Sequence, residues 1–552
     1  MSSRKFNEYK GLDLPQLGRE VLEVWDRENT FGRSITEREG APAFIFYEGP
    51  PSANGLPGIH HVLSRTIKDT ICRYKTQQGY LVRRKAGWDT HGLPVELGVE
   101  KKLGITKEDI GHKISIEEYN RTCREAVMEF TGVWEELTRK MGYWVDMKHP
   151  YITYENKYIE TLWWMLKQLF DKGLLYKGYT IQPYSPAAGT GLSNHELNQP
   201  GCYRDVKDTT CTAQFEIIRD ERSEFLFDDA QGTLYFLAWT TTPWTLPSNT
   251  ALAVGDNIEY VRVKCLNPYP QQPQTVILAK ELLPAYFTPK MEGTYSIGER
   301  IYKGSELVGI RYRQLIDWVK PMGDAFRVIS GYYVTTVDGT GIVHIAPTFG
   351  ADDDRVGKQA GIVPMYVVDR AGKNQPMVDR RGRLFRIEDM DPDFVAKYVD
   401  AERYREWAGR FVKNAYDPSL GPDDPTLDID IAVMLKGEGK AFKIEKHTHS
   451  YPHCWRTDKP VLYYPLDSWF IRTTALRERL MELNDTIDWK PASTGTGRFG
   501  KWLEGLVDWN LSRSRFWGTP LPIWATEDRS ELKCIGSVAE LRAEAEKAVA
   551  AG

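Results

Sequence analysis

Apolar residues open the chain at helical spacing. Leu14, Leu17, Val21, Leu22 and Trp25 recur among charges and predict a helix within a segment spanning 1–42. The rhythm then changes. Ala43-Phe44-Ile45-Phe46-Tyr47 is an unbroken apolar run closed by Glu48-Gly49-Pro50-Pro51, which predicts a buried strand ending in a turn. From Ile59 the helical period returns, with Ile67, Ile71 and Tyr74 on one face and Gly79 as its stop. Tyr80-Leu81-Val82 reads as a second strand. Strand, glycine-rich turn and helix in this order form the opening unit of a nucleotide-binding α/β fold.

Between about 100 and 180 the period stays helical, with Trp134, Leu137 and Met141, then Tyr158, Leu162, Met165 and Leu169, as packing positions. Around Tyr203 it shortens to that of strands: CTAQFEII, TLYFLAWTTT, ALAV, EYVRVKC, QTVILAK, FRVISGYYVTTV and GTGIVHIA follow one another. The α/β texture returns after about 430. The expected architecture is an α/β, Rossmann-like nucleotide-binding domain interrupted by an inserted β-rich domain. Its parts are a helical segment at 1–42, a first half with connective helices at 43–202, the insertion at 203–428, and an incomplete second half at 429–552.

Bulk properties narrow the function classes. At 552 residues the chain exceeds one core, and 41% hydrophobic residues suffice for several packed domains. A net charge of −4 argues against a protein that coats nucleic acid nonspecifically. A local basic patch is compatible with it, and the run from Tyr74-Lys75 to Arg83-Arg84-Lys85 is the candidate. The seven cysteines are scattered, without a CxxC pair, which fits a reducing compartment and supplies no zinc motif. The sequence shows no signal peptide and no stretch long enough to span a membrane, so a soluble, cytoplasmic protein is expected.

The chemistry concentrates in GPPSANGLPGIHHVLSRTIKD, residues 49 to 69. A helix N-terminus carries about half a positive charge and N–H groups without intrahelical partners, so a tight Gly/Pro turn before it can receive a polyphosphate. His60 and His61 can donate to phosphoryl oxygens there. The bland reading is a helix start that happens to carry imidazoles, and this turn alone does not exclude it.

The neighbouring motifs decide between the two. PPSANG, IKD, GWDTHGLPVE, WTTTPWTLPSN, GTGIVHIAPTFGADD, HSYPHCWR, DSWFIRTT and WNLSRSRFWGTPLPIW occur in an order that closely resembles the class I aminoacyl-tRNA synthetases, and within them the isoleucine enzymes. Valine and leucine relatives typically carry TTRPET- or TTRPDT-like segments where this chain has Thr240-Thr241-Thr242-Pro243-Trp244-Thr245. The resemblance implies a ligase that uses ATP with Mg2+ as substrate, forms the isoleucyl adenylate, and transfers the aminoacyl group to the isoleucine tRNA. It also implies a monomer with no membrane association. In-line attack at the α-phosphorus makes catalysis mainly positioning and charge stabilisation.

By the same resemblance, Gly58, His60 and His61 form the ATP-phosphate motif. Asp89 holds the substrate ammonium, and Pro50, Trp469 and Trp509 wall the side-chain pocket. For Asp89 alone the plainer reading is a turn or cap residue, and most tryptophans are ordinary core. The inserted domain has a physical motive: one missing methylene is worth only about 1–3 kcal/mol in an apolar pocket, a general figure for which this same enzyme family is the standard illustration. A second, hydrolytic site for valyl-tRNA is implied at Thr240, Thr241, Thr242 and Asn249, with His344 excluding isoleucine and Asp353 pairing with the ammonium. Three consecutive threonines by themselves express only strand propensity.

Three features depart from the family pattern. The chain ends before a KMSKS-like loop and the anticodon-binding helices, so a truncated form is expected. The usual zinc-binding pairs are missing: one region reads Pro183-Tyr184-Ser185-Pro186-Ala187-Ala188, and the other keeps Cys454 but has Thr457, so no structural zinc is expected there. The phosphate motif reads Gly58-Ile59-His60-His61 instead of His-x-Gly-His, with first and third residues exchanged. The alternatives are a valine- or leucine-type relative, or a tRNA-binding proofreading module without synthetic activity.

Overall fold

The computed structural model describes residues 11–421, 424–527 and 529–551, so the first ten residues of the expected N-terminal segment lie outside the described residues. The chain divides into two compact units, Met1–Tyr176 with Phe470–Gly552, and Lys177–Trp469. The chain crosses between them within Leu175–Ser185 and again within Leu462–Ile471.

In the first unit the expected N-terminal helix spans Leu14–Glu28, opened by Asp13, whose side chain accepts from the Gln16 N–H at 3.0 Å. A second helix, Thr30–Thr36, follows it. The rings of Trp25 and Phe31 meet Trp144 at 5.4 and 6.0 Å.

The run Ala43–Tyr47 departs from expectation. It is extended but paired only at its start, where Ala43 bridges Leu81 in parallel and the Phe44 N–H donates to Leu81 O at 2.9 Å. Phe44 and Phe46 are half-buried, whereas Ile45 and Tyr47 are 72% and 89% exposed. A five-residue apolar run cannot distinguish a strand covered on both faces from one covered on a single face, and here one face is covered. Tyr80-Leu81-Val82 likewise contributes one bridge and no regular strand. The regular pairing comes later, between Lys85–Trp88 and Asp146–Ile152 in parallel.

The helix Ile59–Gln77 forms as the periodicity requires, with Gly79 just past its end at φ +93°. Its outward face carries Ile59, Leu63, Ile67, Ile71 and Tyr74, each more than half exposed. The inward face buries Arg65, Asp69, Cys72 and Thr76. This changes the reading of the basic run. Arg84 is 2% exposed and donates to Asp69 Oδ1 at 3.2 Å and Thr76 Oγ1 at 2.9 Å. Arg83 and Lys85 remain outside, so the run is not one solvent-facing patch.

Helices Leu93–Leu103, Ile116–Val127, Thr131–Lys140 and Asn156–Asp171 fill the expected helical region. Val95, Val99, Tyr119, Cys123 and Val127 form a core with Trp517, and a smaller one joins Ala53, Trp88 and Trp134.

The second unit is built on a six-stranded sheet in the order Ser296–Lys303, Glu259–Leu266, Pro273–Ala279, Thr233–Thr240, Tyr203–Glu216, Ala441–Pro452. The strands pair antiparallel except Thr233–Thr240 with Pro273–Ala279. A three-stranded sheet sets Ala251–Val254 between Arg327–Ser330 and Ile342–Ile345. Phe215, Phe236, Tyr312, Trp318 and Tyr404 lie in one continuous core with the helix residues Leu427, Ile431 and Leu435.

The unit is larger than the expected 203–428 insertion. Ala441–Pro452 pairs with Tyr203–Glu216 from Ala441↔Ala213 to Pro452↔Tyr203, so a segment assigned by sequence to the nucleotide-binding half belongs to this sheet. Alternating HTHSYP-type sequence cannot say which partner it will find. The register decides it.

Candidate functional site

In the first unit the glycine-rich turn is held from several sides. Trp134 donates its indole N–H to Gly55 O at 2.9 Å, and Asp89 donates its backbone N–H to Pro51 O at 3.0 Å, beside a Ser52–Asp89 bridge. Glu48 accepts from the Tyr143 hydroxyl and from Lys68 Nζ at 3.3 Å. Pro50 and Glu48 line a cavity of about 10 Å³ with Arg65 and Trp88, room for about one water. The turn and Asp89 are thus neighbours.

Both histidines stand in the first turn of Ile59–Gln77, with Gly58 at the N-cap. His61 turns back, and its Nδ1 accepts the Gly58 N–H at 2.9 Å. An accepting Nδ1 places the proton of the neutral ring on Nε2, which leaves His61 a donor on its other edge. Burial and the neighbouring His60 lower its pKa, so the neutral form prevails. The His61 ring meets Trp134 edge-on at 4.8 Å and lies 3.8 Å from the exposed His60 ring. Gly58 has a steric reason. A Cβ there would lie 2.7 Å from His60 Cε1, so a side chain at 58 makes the exposed His60 ring swing aside.

Asp89 is half-buried, and its Oδ1 receives the His91 N–H at 3.4 Å. Thr90 is fully buried, bonded to Thr153 Oγ1 at 2.9 Å, and its carbonyl accepts from Trp517 Nε1 at 2.6 Å. Glu96 Oε1 accepts the backbone N–H groups of Phe516 and Trp517, both at 2.9 Å. Glu96 and Trp517 thereby tie the SRSRFWG segment to GWDTHGLPVE, a contact absent from the sequence reading. The identity of Glu96 was visible, but its partners lie some 420 residues away. Trp509 is 57% exposed and paired with Ile471. Trp469 is the last residue of the second unit, 5.9 Å by its ring from Lys177 Nζ.

The second unit holds a pocket of about 350 Å³. Thr240, Thr241, His344 and Asp353 line it, together with Trp239, Tyr333, Asp338 and Thr340. Thr242 lies outside that lining, its N–H donating to Thr240 Oγ1 at 3.1 Å. Asn249 is also outside it. It is 3% exposed, with Nδ2 donating to Ala251 O and Oδ1 accepting from the Tyr312 hydroxyl, both at 2.8 Å. Its amide serves the backbone of the unit.

His344 is set by a residue the sequence reading passed over. Thr245 donates its hydroxyl to Thr242 O at 2.8 Å, so its oxygen is left to accept from His344 Nε2 at 3.1 Å. Nδ1 is then unprotonated, and burial lowers the ring's pKa to about 4, so His344 is a neutral wall. Asp353 Oδ2 accepts the Ala346 N–H at 2.9 Å, and Tyr333 donates to Oδ1 at 3.4 Å. Burial raises the Asp353 carboxyl to about 6. Asp353 is half-buried, and a partly desolvated carboxylate of this kind gains from an incoming ammonium.

Cys202 and Cys454 are buried free thiols, and the Cys454 N–H donates to Lys459 O at 2.8 Å. Among the described residues no group of three or more His, Cys, Asp and Glu side chains is placed to hold a metal ion. No helix among them is long and apolar enough to cross a membrane.

The family described as tRNA synthetases class I (I, L, M and V) matches residues 20–551, and the chain belongs to it. Within that class it is 65% identical over 563 residues to the isoleucine–tRNA ligase of Bacteroides fragilis and 64% identical to that of Porphyromonas gingivalis. Both alignments cover 100% of this chain and 49% of the relative. The isoleucine–tRNA ligase of Clostridium tetani is 44% identical over 538 residues, covering 97% and 46%. The chain thus spans about half the length of the curated relatives it matches.

Proposed function

We propose that the protein is an isoleucine–tRNA ligase that activates isoleucine with ATP, passes it to the isoleucine tRNA, and hydrolyses valyl-tRNA at the Asp353 pocket. The family and the isoleucine–tRNA ligases similar to this chain support the ligase class. The observation that carries the two-site reading is the 350 Å³ pocket, in a different unit from the glycine-rich turn.

In activation, Asp89 holds the ammonium of isoleucine while the start of Ile59–Gln77 receives the phosphates of ATP, which enters with Mg2+ as its counterion. His61 donates from Nε2 to a phosphoryl oxygen as charge develops, and His60 approaches from the exposed side. Attack of the isoleucine carboxylate at the α-phosphorus releases pyrophosphate, and proximity and charge stabilisation supply the rate. In hydrolysis, Asp353 anchors the ammonium of the valyl ester, and Thr240 and Thr241 orient the terminal ribose and the attacking water. Neutral His344 limits the side chain the pocket admits.

The test is ATP–pyrophosphate exchange with isoleucine, valine and leucine, and hydrolysis of valyl-tRNA, for the parent, Asp89→Ala and Asp353→Ala. Exchange preferring isoleucine and lost only in Asp89→Ala, with hydrolysis lost only in Asp353→Ala, is the expected result. Both variants losing the same activity would remove the two-site division. Hydrolysis without exchange in the parent would leave this 552-residue chain a proofreading module.

A further inference from the structure

Behind the threonine segment, the second unit buries charges that neither reaction above uses. Lys413 is 8% exposed, with Nζ 3.0 Å from Asp208 Oδ2 and 3.5 Å from Asp428 Oδ2. His449 Nε2 lies 3.2 Å from the same Asp208 oxygen, and the ammonium sits 4.9 Å from the Tyr451 ring centroid. Asp428 is 2% exposed, and its other oxygen, Oδ1, accepts the backbone N–H of Trp244 at 2.9 Å.

Such a cluster is a poor source of stability, because desolvating the charges offsets their attraction. Its specific product is a fixed acceptor at one amide. That amide belongs to the turn Pro243–Ser248, between Thr242 and Thr245. Thr242 O receives the Thr245 hydroxyl, whose oxygen receives His344 Nε2. A displaced Trp244 amide would move both threonines and release the imidazole. Trp244 is further locked by its ring, edge-on to Phe349 at 5.0 Å.

We infer that Asp428, held in place by Lys413, is a positioning residue for the pocket, fixing the turn that keeps His344 aligned. This rests on reading the pocket as the site of valyl-tRNA hydrolysis. A neutral asparagine keeps an oxygen for the Trp244 N–H, whereas alanine or leucine does not. Replacing both members of a buried ion pair by apolar side chains is often neutral for stability. Because Lys413 also pairs with Asp208 at 3.0 Å, the double variant Asp428→Leu with Lys413→Met is made in an Asp208→Asn background. That combination strands no carboxylate and so separates folding from positioning.

The experiment compares the parent, Asp428→Asn, Asp428→Ala and that double variant as full chains. Thermal melting, amide hydrogen exchange across residues 240–249, and kcat and KM for valyl-tRNA hydrolysis are measured for each. Asp428→Ala and the double variant should raise exchange and lower kcat by about tenfold with KM nearly unchanged, while Asp428→Asn stays within about threefold of the parent. The double variant should do so with a Tm close to the parent's, and it carries the test if Asp428→Ala does not fold. Parent-like exchange and kcat in the double variant would overturn the inference, as would an asparagine variant as impaired as alanine. A parent that does not hydrolyse valyl-tRNA would refute the functional reading, while hydrogen exchange would still decide whether Asp428 holds the turn.

Discussion

At the scale of single residues, the site depends on which charge state burial permits. Asp353 is pushed up to about 6, so the carboxylate that would hold an ammonium protonates as the pH falls below that value. Hydrolysis of valyl-tRNA is expected to lose kcat/KM below about pH 6, and an acyl ester lacking the ammonium should not show that limb. Titration of Asp353 does not itself unfold the protein. A carboxyl whose folded pKa exceeds its unfolded value favours the fold increasingly as pH falls from 6 toward the ordinary carboxylate range. The neutral His344 works in the opposite direction over the same interval. A melting curve is therefore the control: a protein already unfolded at the assay temperature where the activity is lost would refute this account. Gly58 gives a second prediction. Gly58→His alone pushes a Cβ into the His60 ring, while the double substitution with His60→Gly removes that ring. The single variant should impair isoleucine-dependent exchange by roughly tenfold more than the double one, a coupling typical of residues in contact. Equal losses would show that the two positions are independent.

At the scale of elements, the turn Pro243–Ser248 depends on its ends. Asn249 closes it, with its side-chain oxygen held by a Tyr312 hydroxyl that is 1% exposed. Tyr312→Phe leaves that oxygen buried without its donor, at a cost of about 1–3 kcal/mol. A lower urea midpoint for the second unit is the expected measurement, and an unchanged midpoint would count against the bond. The helix Ile59–Gln77 could be read in advance because its period of 3.6 repeats over about five turns. The strands of the second unit could be read because short runs rich in β-branched and aromatic residues follow one another between turn signals. Ala43–Tyr47 could not. Five apolar residues carry no period, and their exposure depends on neighbours that the run itself does not specify.

At the scale of the whole chain, the insertion was legible as a change of texture, but its edges were not. A fragment comprising Lys177–Trp469 is expected to melt cooperatively as one unit. A fragment limited to 203–428 lacks Ala441–Pro452 and leaves Tyr203–Glu216 as an unpaired edge, which invites aggregation. Calorimetry and sedimentation of the two fragments would check this, and a monomeric, cooperative 203–428 fragment would contradict it.

The sequence by itself determined the class of the chain and the helix that carries His60 and His61, while Thr240, Thr241, His344 and Asp353 were named only through the resemblance of their motifs to the family. Those are properties of local order: motif spacing and side-chain period survive without knowledge of distant partners. The tertiary structure alone decided the tautomers of His61 and His344, the withdrawal of Asn249 from the pocket, the burial of Arg84, and the tie from Asp428 to Trp244. Each depends on a hydrogen bond or a desolvation set by residues remote in sequence or folded back on themselves. Composition and periodicity carry no information about such meetings, because one polar side chain can face water, a substrate or a buried amide with the same local pattern around it.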